Sequence, residues 1–257
     1  MQTHHYGSQF NLITNVYLQS ILTRLCLAET KQPEINRLIE KLYLGLIEAA
    51  INQVFPQETV THKTRMHLTN PEAVLTAQSF KQTIRAVSVN LARAGTFPSH
   101  LCYDFLHSIL PPDNIRQDHI FASRTTDQSH KVTGTFLGCH KIGGSIKESF
   151  VLFPDPMGAT GGTLTSTIDY YENNIEGPAQ SYIALHLIVT HEYLKKVLNH
   201  SKKIKVFALR VDRGLSTPEI LKSPLGLHWE QEKGLNENQY IIPGAGGLGE
   251  LLNNSYV

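Results

Sequence analysis

Strands alternating with helices over residues 86–211, and a mainly apolar run at 183–189 without alternation, predict an α/β protein. Its centre is a mostly parallel sheet flanked by helices, because only a strand covered on both faces reads as a continuous apolar run. A third pattern, apolar residues at helical spacing over residues 10–54, places an N-terminal helical hairpin ahead of that sheet.

In chain order, Leu18, Ile21 and Leu22 mark the first helix, and Ile35, Leu38, Ile39, Leu42, Leu46 and Ile47 mark the second. Gln32-Pro33-Glu34 opens that second helix, with Pro near its first turn and an acid beside its N-terminus. Residues 86–91 and 119–123 read as short strands around a helix at 97–110, which Pro111-Pro112 ends. Residues 131–147 are glycine-rich with alternating character and read as a hairpin or arm. An apolar strand at 149–153 runs into Asp155, a helix follows at 163–173, and strands follow at 183–189 and 206–211. Residues 215–234 hold two prolines and no clean period, which reads as a surface loop. The whole chain, 1–257, is expected to form one domain: helices over 10–54, a ligand-binding core over 86–211, and loops over 215–257.

Bulk properties narrow the function. With 41% hydrophobic and 18% charged residues, the chain has the composition of a globular protein with a real core. A formal charge of +1 gives no overall pull toward nucleic acid or anionic membrane, so neither is an expected partner. Cys26, Cys102 and Cys139 are too scattered for a metal knuckle or a disulfide framework, which suits a reducing cytoplasm. No basic segment precedes an apolar core at the N-terminus, and no apolar run is long enough to cross a bilayer. The thirteen histidines form no HExxH or similar ligand pair.

The chemistry sits in Asp155-Pro156-Met157-Gly158-Ala159-Thr160-Gly161-Gly162-Thr163, which follows a strand and opens a helix. Paired glycines let the backbone curl so that successive N–H groups face one anion, and the helix adds its positive end. Thr160 and Thr163 offer hydroxyl donors to phosphate oxygens. Asp155, at the carboxyl end of its strand, is placed to accept bonds from a ribose diol. No Gly-Lys-Ser/Thr follows, so this is not a Walker loop.

This string resembles the phosphoribosyl pyrophosphate (PRPP) motif of uracil phosphoribosyltransferases, Asp-Pro-Met-Leu-Ala-Thr-Gly-Gly-Ser/Thr. Gly158 is the one departure, standing for a leucine. Leu91-Ala92-Arg93-Ala94-Gly95 resembles the family's Leu-Arg-Ala-Gly element, and Ala122-Ser123-Arg124 lies where a second pyrophosphate-binding arginine follows a strand. Glu48-Ala49 is similar to the family's Tyr-Glu-Ala, and the segment from Gly234 through Tyr240-Ile241-Ile242-Pro243-Gly244 to its approach to the uracil pocket. The resemblance implies a type I phosphoribosyltransferase fold and transfer of phosphoribosyl from PRPP to uracil, giving UMP and pyrophosphate with Mg²⁺ as cofactor. It also implies a homodimer. By the same resemblance, Asp155 takes the ribose hydroxyls, Ala159 to Thr163 the 5′-phosphate, and Arg93 with Arg124 the pyrophosphate, these three side chains being the catalytic set. Uracil is read by the backbone of Ile241, Gly246, Gly247 and Leu248, with Met157 and Tyr240 lining its pocket.

Two departures lie in the base half. Gly247 stands where the family has an Asp associated with PRPP and its metal, and Glu250 stands at a second Asp, so no side-chain metal ligand is assigned. The family's continuous Asp-x-Gly-Leu-Asn-Glu is split into Asp212-Arg213-Gly214-Leu215 and Gly234-Leu235-Asn236-Glu237. Two alternatives stay open: a transferase for another base, and a PRPP- or nucleotide-binding regulator without transferase activity.

Overall fold

A computed structural model describes residues 4–126 and 132–255. The elements run β1 (Phe10–Leu12), α1 (Val16–Leu25), α2 (Glu34–Val54), β2 (Gln57–Lys63), β3 (Val74–Phe80), β4 (Arg85–Ala92), α3 (Thr96–His107), β5 (Ile115–Thr126) and β6 (Val132–Lys141). Then come β7 (Ser149–Pro154), β8 (Met157–Gly158), α4 (Gly162–Asn174), β9 (Ser181–Thr190), α5 (His191–His200), β10 (Ile204–Asp212), α6 (Pro218–Lys222) and α7 (Leu248–Asn253).

Among the described residues, the main sheet has the order β1-β10-β9-β7-β4-β5-β6, with β8 also paired to β9. Every pairing in it is parallel except β5 with β6. The central strands β7 and β9 are buried along their whole length, which is why they read as mainly apolar runs without alternation, His186 of β9 apart. One face carries α1, α2 and α3, where Leu38, Leu42, Leu46 and Ile47 of α2 pack toward Leu185, Leu187 and Phe207. The other face carries α4 and α5, with Ile168, Tyr171, Leu194 and Val197 against Val151, Phe153 and Ala184.

The strand order fixes where a ligand goes. The chain leaves β4 for its neighbour β5 and later returns to place β7 on the other side of β4. The connections from β4 and β7 therefore part company at their carboxyl ends, leaving the crevice in which open α/β sheets bind ligands.

Three expectations need correction, and one element was not anticipated. Residues 10–12 are not helical: Phe10–Leu12 is a strand parallel to β10, and three residues carry too short a pattern to announce a pairing with a partner nearly two hundred residues away. The stretch 131–147 is in the main one long edge strand, β6, antiparallel to β5, with Lys131 outside the described residues. A separate two-stranded arm, β2 with β3, is exposed on nearly all of both strands. Finally, residues 215–234 are not a bare surface loop. They contain α6 and a 3-10 turn at Trp229–Gln231, and Glu232 is buried in an ion pair with Arg213 (2.6 Å). Glu232 also accepts from Tyr6 Oη (2.5 Å) and the Gly226 N–H (2.9 Å), so the N-terminal segment is stitched to this insertion.

Candidate active site

Asp155 lies just past the carboxyl end of β7, and its N–H still donates to the Leu185 carbonyl of β9 (3.2 Å). Pro156 then presents its carbonyl to the N–H groups of Leu187 (3.0 Å) and Ile188 (3.2 Å). Met157 and Gly158 rejoin β9 as β8, opposite Ile188 and Val189. Beyond Ala159 and Thr160, Gly161 turns the chain with φ +77°, a left-handed conformation that a side chain at this position would disfavour. Helix α4 begins at Gly162, so its first-turn N–H groups, which have no partner within the helix, follow directly on the turn.

A cavity of about 400 Å³ opens at this point. Asp155, Met157, Ala159, Thr160, Gly161 and Thr163 line one side of it. Arg93 comes to it from just past the end of β4, joined to Ala92 by a cis peptide. Tyr240, Ile241, Gly246, Gly247 and Leu248 form the opposite wall. Twelve of the sixteen residues expected at the site thus share one cavity. Pro156 and Gly158 belong to the loop's attachment to β9 rather than to the wall, and Gly162 begins the helix behind it. Arg124 is on β5, in register with Thr135 of β6, and its side chain lies outside the described atoms.

Arg93 is already engaged. Its guanidinium faces the Glu250 carboxylate at 3.6 Å and donates to the carbonyl (3.2 Å) and hydroxyl (3.3 Å) of Ser255. A Cβ built at Gly247 would overlap that same Glu250 carboxylate. The volume an acid at position 247 would enter is thus held by the carboxylate of Glu250, one turn of α7 further on. As for Mg²⁺, the cavity wall offers two carboxylates, Asp155 and Glu250, and the described residues hold no cluster of three or more His, Cys, Asp or Glu side chains. That donor set fits Mg²⁺, which takes one or two protein carboxylates and completes its shell with phosphate oxygens and water.

The opposite wall is held by side chains from far away in sequence. Asp212 accepts the Gly244 N–H (2.7 Å) and is gripped by Arg210 at 2.6 and 2.9 Å, while Arg210 also donates to the Gly244 carbonyl (3.0 Å). Glu192 at the start of α5 accepts from the N–H groups of Gly234 (2.9 Å) and Leu235 (3.1 Å). Asn236 caps the turn before Tyr240 by accepting the N–H groups of Asn238 and Tyr240. The Leu215 N–H meets the Lys233 carbonyl at 2.9 Å, so the two halves of the split run are rejoined at the insertion's neck.

Sequence reasoning left nine of the lining residues unassigned, among them His186 and Tyr193 beneath the loop and Gln239 at the rim. A signal existed for Tyr193. Its ring lies 3.1 Å from where a Cβ on Gly158 would be, so the glycine that departs from the family's leucine makes room for that ring.

A family model described as uracil phosphoribosyltransferase matches residues 12–226, a range that stops short of the wall at 240–248. Among solved structures, the AQ2163 protein from Aquifex aeolicus superposes with a TM-score of 0.71 at 18% identity, covering 96% of this chain and 99% of that one. The adenine phosphoribosyltransferase of Trypanosoma brucei, in complex with AMP, pyrophosphate and ribose-5-phosphate, gives a TM-score of 0.46 at 11% identity over 86% of this chain and 90% of that one. A hypoxanthine phosphoribosyltransferase from Staphylococcus aureus gives 0.40 at 14% identity, over 67% and 73%.

Proposed function

Because this chain belongs to the uracil phosphoribosyltransferase family, we propose that it transfers the phosphoribosyl group of PRPP to uracil, releasing UMP and pyrophosphate. The observation that carries this reading is a single cavity walled on one side by the anion loop and on the other by the segment resembling the uracil pocket. Both substrates then meet in one space, as an attack of uracil N1 on ribose C1′ requires.

In this reaction the C1′–pyrophosphate bond breaks as the N1–C1′ bond forms, with positive charge on the ribose, negative charge growing on the leaving group, and the N1 proton passing to the departing pyrophosphate or to water. Asp155 receives the ribose hydroxyls, and the N–H groups of Gly161, Gly162 and Thr163 with the Thr160 and Thr163 hydroxyls receive the 5′-phosphate. Arg93 and Arg124 take the pyrophosphate, where planar guanidinium donors match the growing charge. The backbone of Ile241 and of residues 246–248 reads the uracil edge between Met157 and Tyr240. Mg²⁺, when bound, neutralises pyrophosphate oxygens, with Asp155 and Glu250 the side chains within the cavity to hold it. No general-base side chain is assigned.

A cytoplasmic homodimer belongs to the same proposal. The exposed β2–β3 arm, with Leu75 55% and Val74 48% accessible, supports it, because a two-stranded sheet is marginal without something to pack on. Light scattering at micromolar protein should give twice the chain mass, and a monomer mass would refute the dimer. No helix among the described residues is long and apolar enough to cross a membrane.

The deciding experiment is to incubate the protein with PRPP, Mg²⁺ and a panel of bases, and to assay pyrophosphate and nucleotide. Uracil-dependent release of both supports the proposal; release with another base moves the specificity. PRPP binding with no turnover favours a regulator, the reading for which the occupied Arg93 is the specific support.

A further inference from the structure

Strand β9 is buried from end to end, yet it carries a histidine at its centre. His186 is 2% exposed, and burial lowers its pKa to about 4 against the opposing pull of its bond to Asp155, so the ring is neutral. Its Nδ1 lies 2.5 Å from the Asp155 carbonyl. A carbonyl only accepts, so Nδ1 carries the proton and Nε2 is left as an acceptor. Tyr193, from the first turn of α5, donates its hydroxyl to that Nε2 at 2.5 Å, with the two rings edge to face at 4.7 Å and 77°. Tyr193 is itself 2% exposed, and its ring fills the space under Gly158. Its N–H in turn donates to Thr190 Oγ1, whose hydroxyl holds the Ala159 carbonyl at 2.6 Å.

The loop is therefore fastened from below at three of its carbonyls. Backbone N–H groups of β9 take Pro156, the Thr190 hydroxyl takes Ala159, and a side-chain relay takes Asp155. Hydrocarbon at positions 186 and 193 would fill the same space with no polar atom to satisfy. What the relay adds is a directed bond on the residue that carries the carboxylate. We propose that His186 and Tyr193 are positioning residues which set the orientation of Asp155 toward the ribose diol by acting through that loop. The inference rests on the PRPP reading of the cavity.

Because the relay ends on Asp155, its loss should weaken recognition of the ribose and leave anion binding alone. The test is titration calorimetry of the full chain with two probes, PRPP and inorganic pyrophosphate, beside steady-state kinetics. Tyr193→Phe keeps the ring under Gly158 and removes only the hydroxyl. It should weaken PRPP binding and raise the KM for PRPP by about tenfold, a change of roughly 1.4 kcal/mol, with pyrophosphate binding unchanged within twofold. His186→Leu should do at least as much, and His186→Asn, which returns an N–H near the Nδ1 position, should recover most of the loss. Wild-type protein that binds no PRPP overturns the reading of the cavity, and this inference with it. Wild type that binds PRPP while Tyr193→Phe and His186→Leu bind it equally well overturns the inference alone. So does an equal loss of PRPP and pyrophosphate binding with a lowered melting temperature, which would leave the pair a purely structural role.

Discussion

The two walls of the cavity are built in opposite ways. Residues 155–163 are consecutive, and β9 and the first turn of α5, two adjoining elements, fasten them from beneath. The wall at 234–248 is held by Asp212 and Arg210 at the end of β10 and by Glu192 on α5, each a side chain far from it in sequence. A loop whose backbone is also paired to a central strand keeps most of its course when one neighbouring side chain changes, and the disturbance stays local. A loop hung from a few carboxylates has no such second fastening. The first arrangement suits an anion site that must hold its donors in place, and the second leaves the base side open to remodelling.

Asp212→Ala should break this contrast most severely. Asp212 is 2% exposed, and its removal leaves Arg210 half-buried without its partner and the Gly244 N–H without an acceptor. Losing one member of a buried pair costs about 3–5 kcal/mol, to be read as a lower urea midpoint. In protein that remains folded, the KM for the base should rise while PRPP affinity stays within twofold. Equal damage to both would mean that the walls are not independent.

Acidification should find the loop side instead. His186 is neutral in the fold with a pKa near 4, against about 6.5 in the unfolded chain. Between those values the unfolded chain binds the extra proton, so stability falls as pH drops from about 6.5 toward 4. For one such group the loss approaches roughly 3 kcal/mol. Unfolding free energies across that window should flatten by up to one proton in His186→Asn, which has no ring to protonate. An unchanged slope would show that other groups dominate acid unfolding.

PRPP itself should raise the melting temperature. At a hundred times its Kd it stabilises by about 2.7 kcal/mol, or roughly 5–10 °C for a chain of this size. Asp155→Asn should shrink that rise at the same PRPP concentration by removing a charged acceptor for the diol. A full rise in the variant would take Asp155 out of the ligand's reach.

The same contrast explains what the sequence made legible. The anion loop could be read because its donors are the backbone of consecutive residues, and a strand running into Asp155 and a helix leaving Gly162 announce their geometry locally. The parallel sheet could be read because β7 and β9 are mainly apolar, without polar alternation. The β2–β3 arm could not, since strands exposed on both faces carry little apolar alternation. Helix α5 had readable signs, Thr190 as a cap with Leu194, Val197 and Leu198 behind it, which the strands on either side overshadowed. Helix α7, six residues with glycine inside, had none. His186 looked like one more packed histidine, because its two partners come from separate elements and only the fold brings them together.

The smallest effect tests the departure at Gly247. A side chain at position 247 would displace the end of the Glu250 side chain, so Gly247→Asp alone sets two like charges side by side and should not improve Mg²⁺ use. Glu250 instead stands at the junction of two roles: a carboxylate facing the cavity, and the partner of Arg93. Removing its charge with Glu250→Gln should therefore pull two measurements in opposite directions. Without metal, pyrophosphate should bind more tightly, because Arg93 is no longer shared with a competing anion. With metal, more Mg²⁺ should be needed for half-maximal turnover, because one of two carboxylates has gone. Both groups are about one-third exposed, with a separation of 3.6 Å, so screening limits the pair to about 1 kcal/mol and each change to roughly fivefold. The double variant Gly247→Asp/Glu250→Gln removes the like-charge repulsion and should return the Mg²⁺ requirement toward that of the wild type. If Glu250→Gln tightens metal-free pyrophosphate binding but leaves the Mg²⁺ requirement unchanged, Glu250 acts on the site through Arg93 alone.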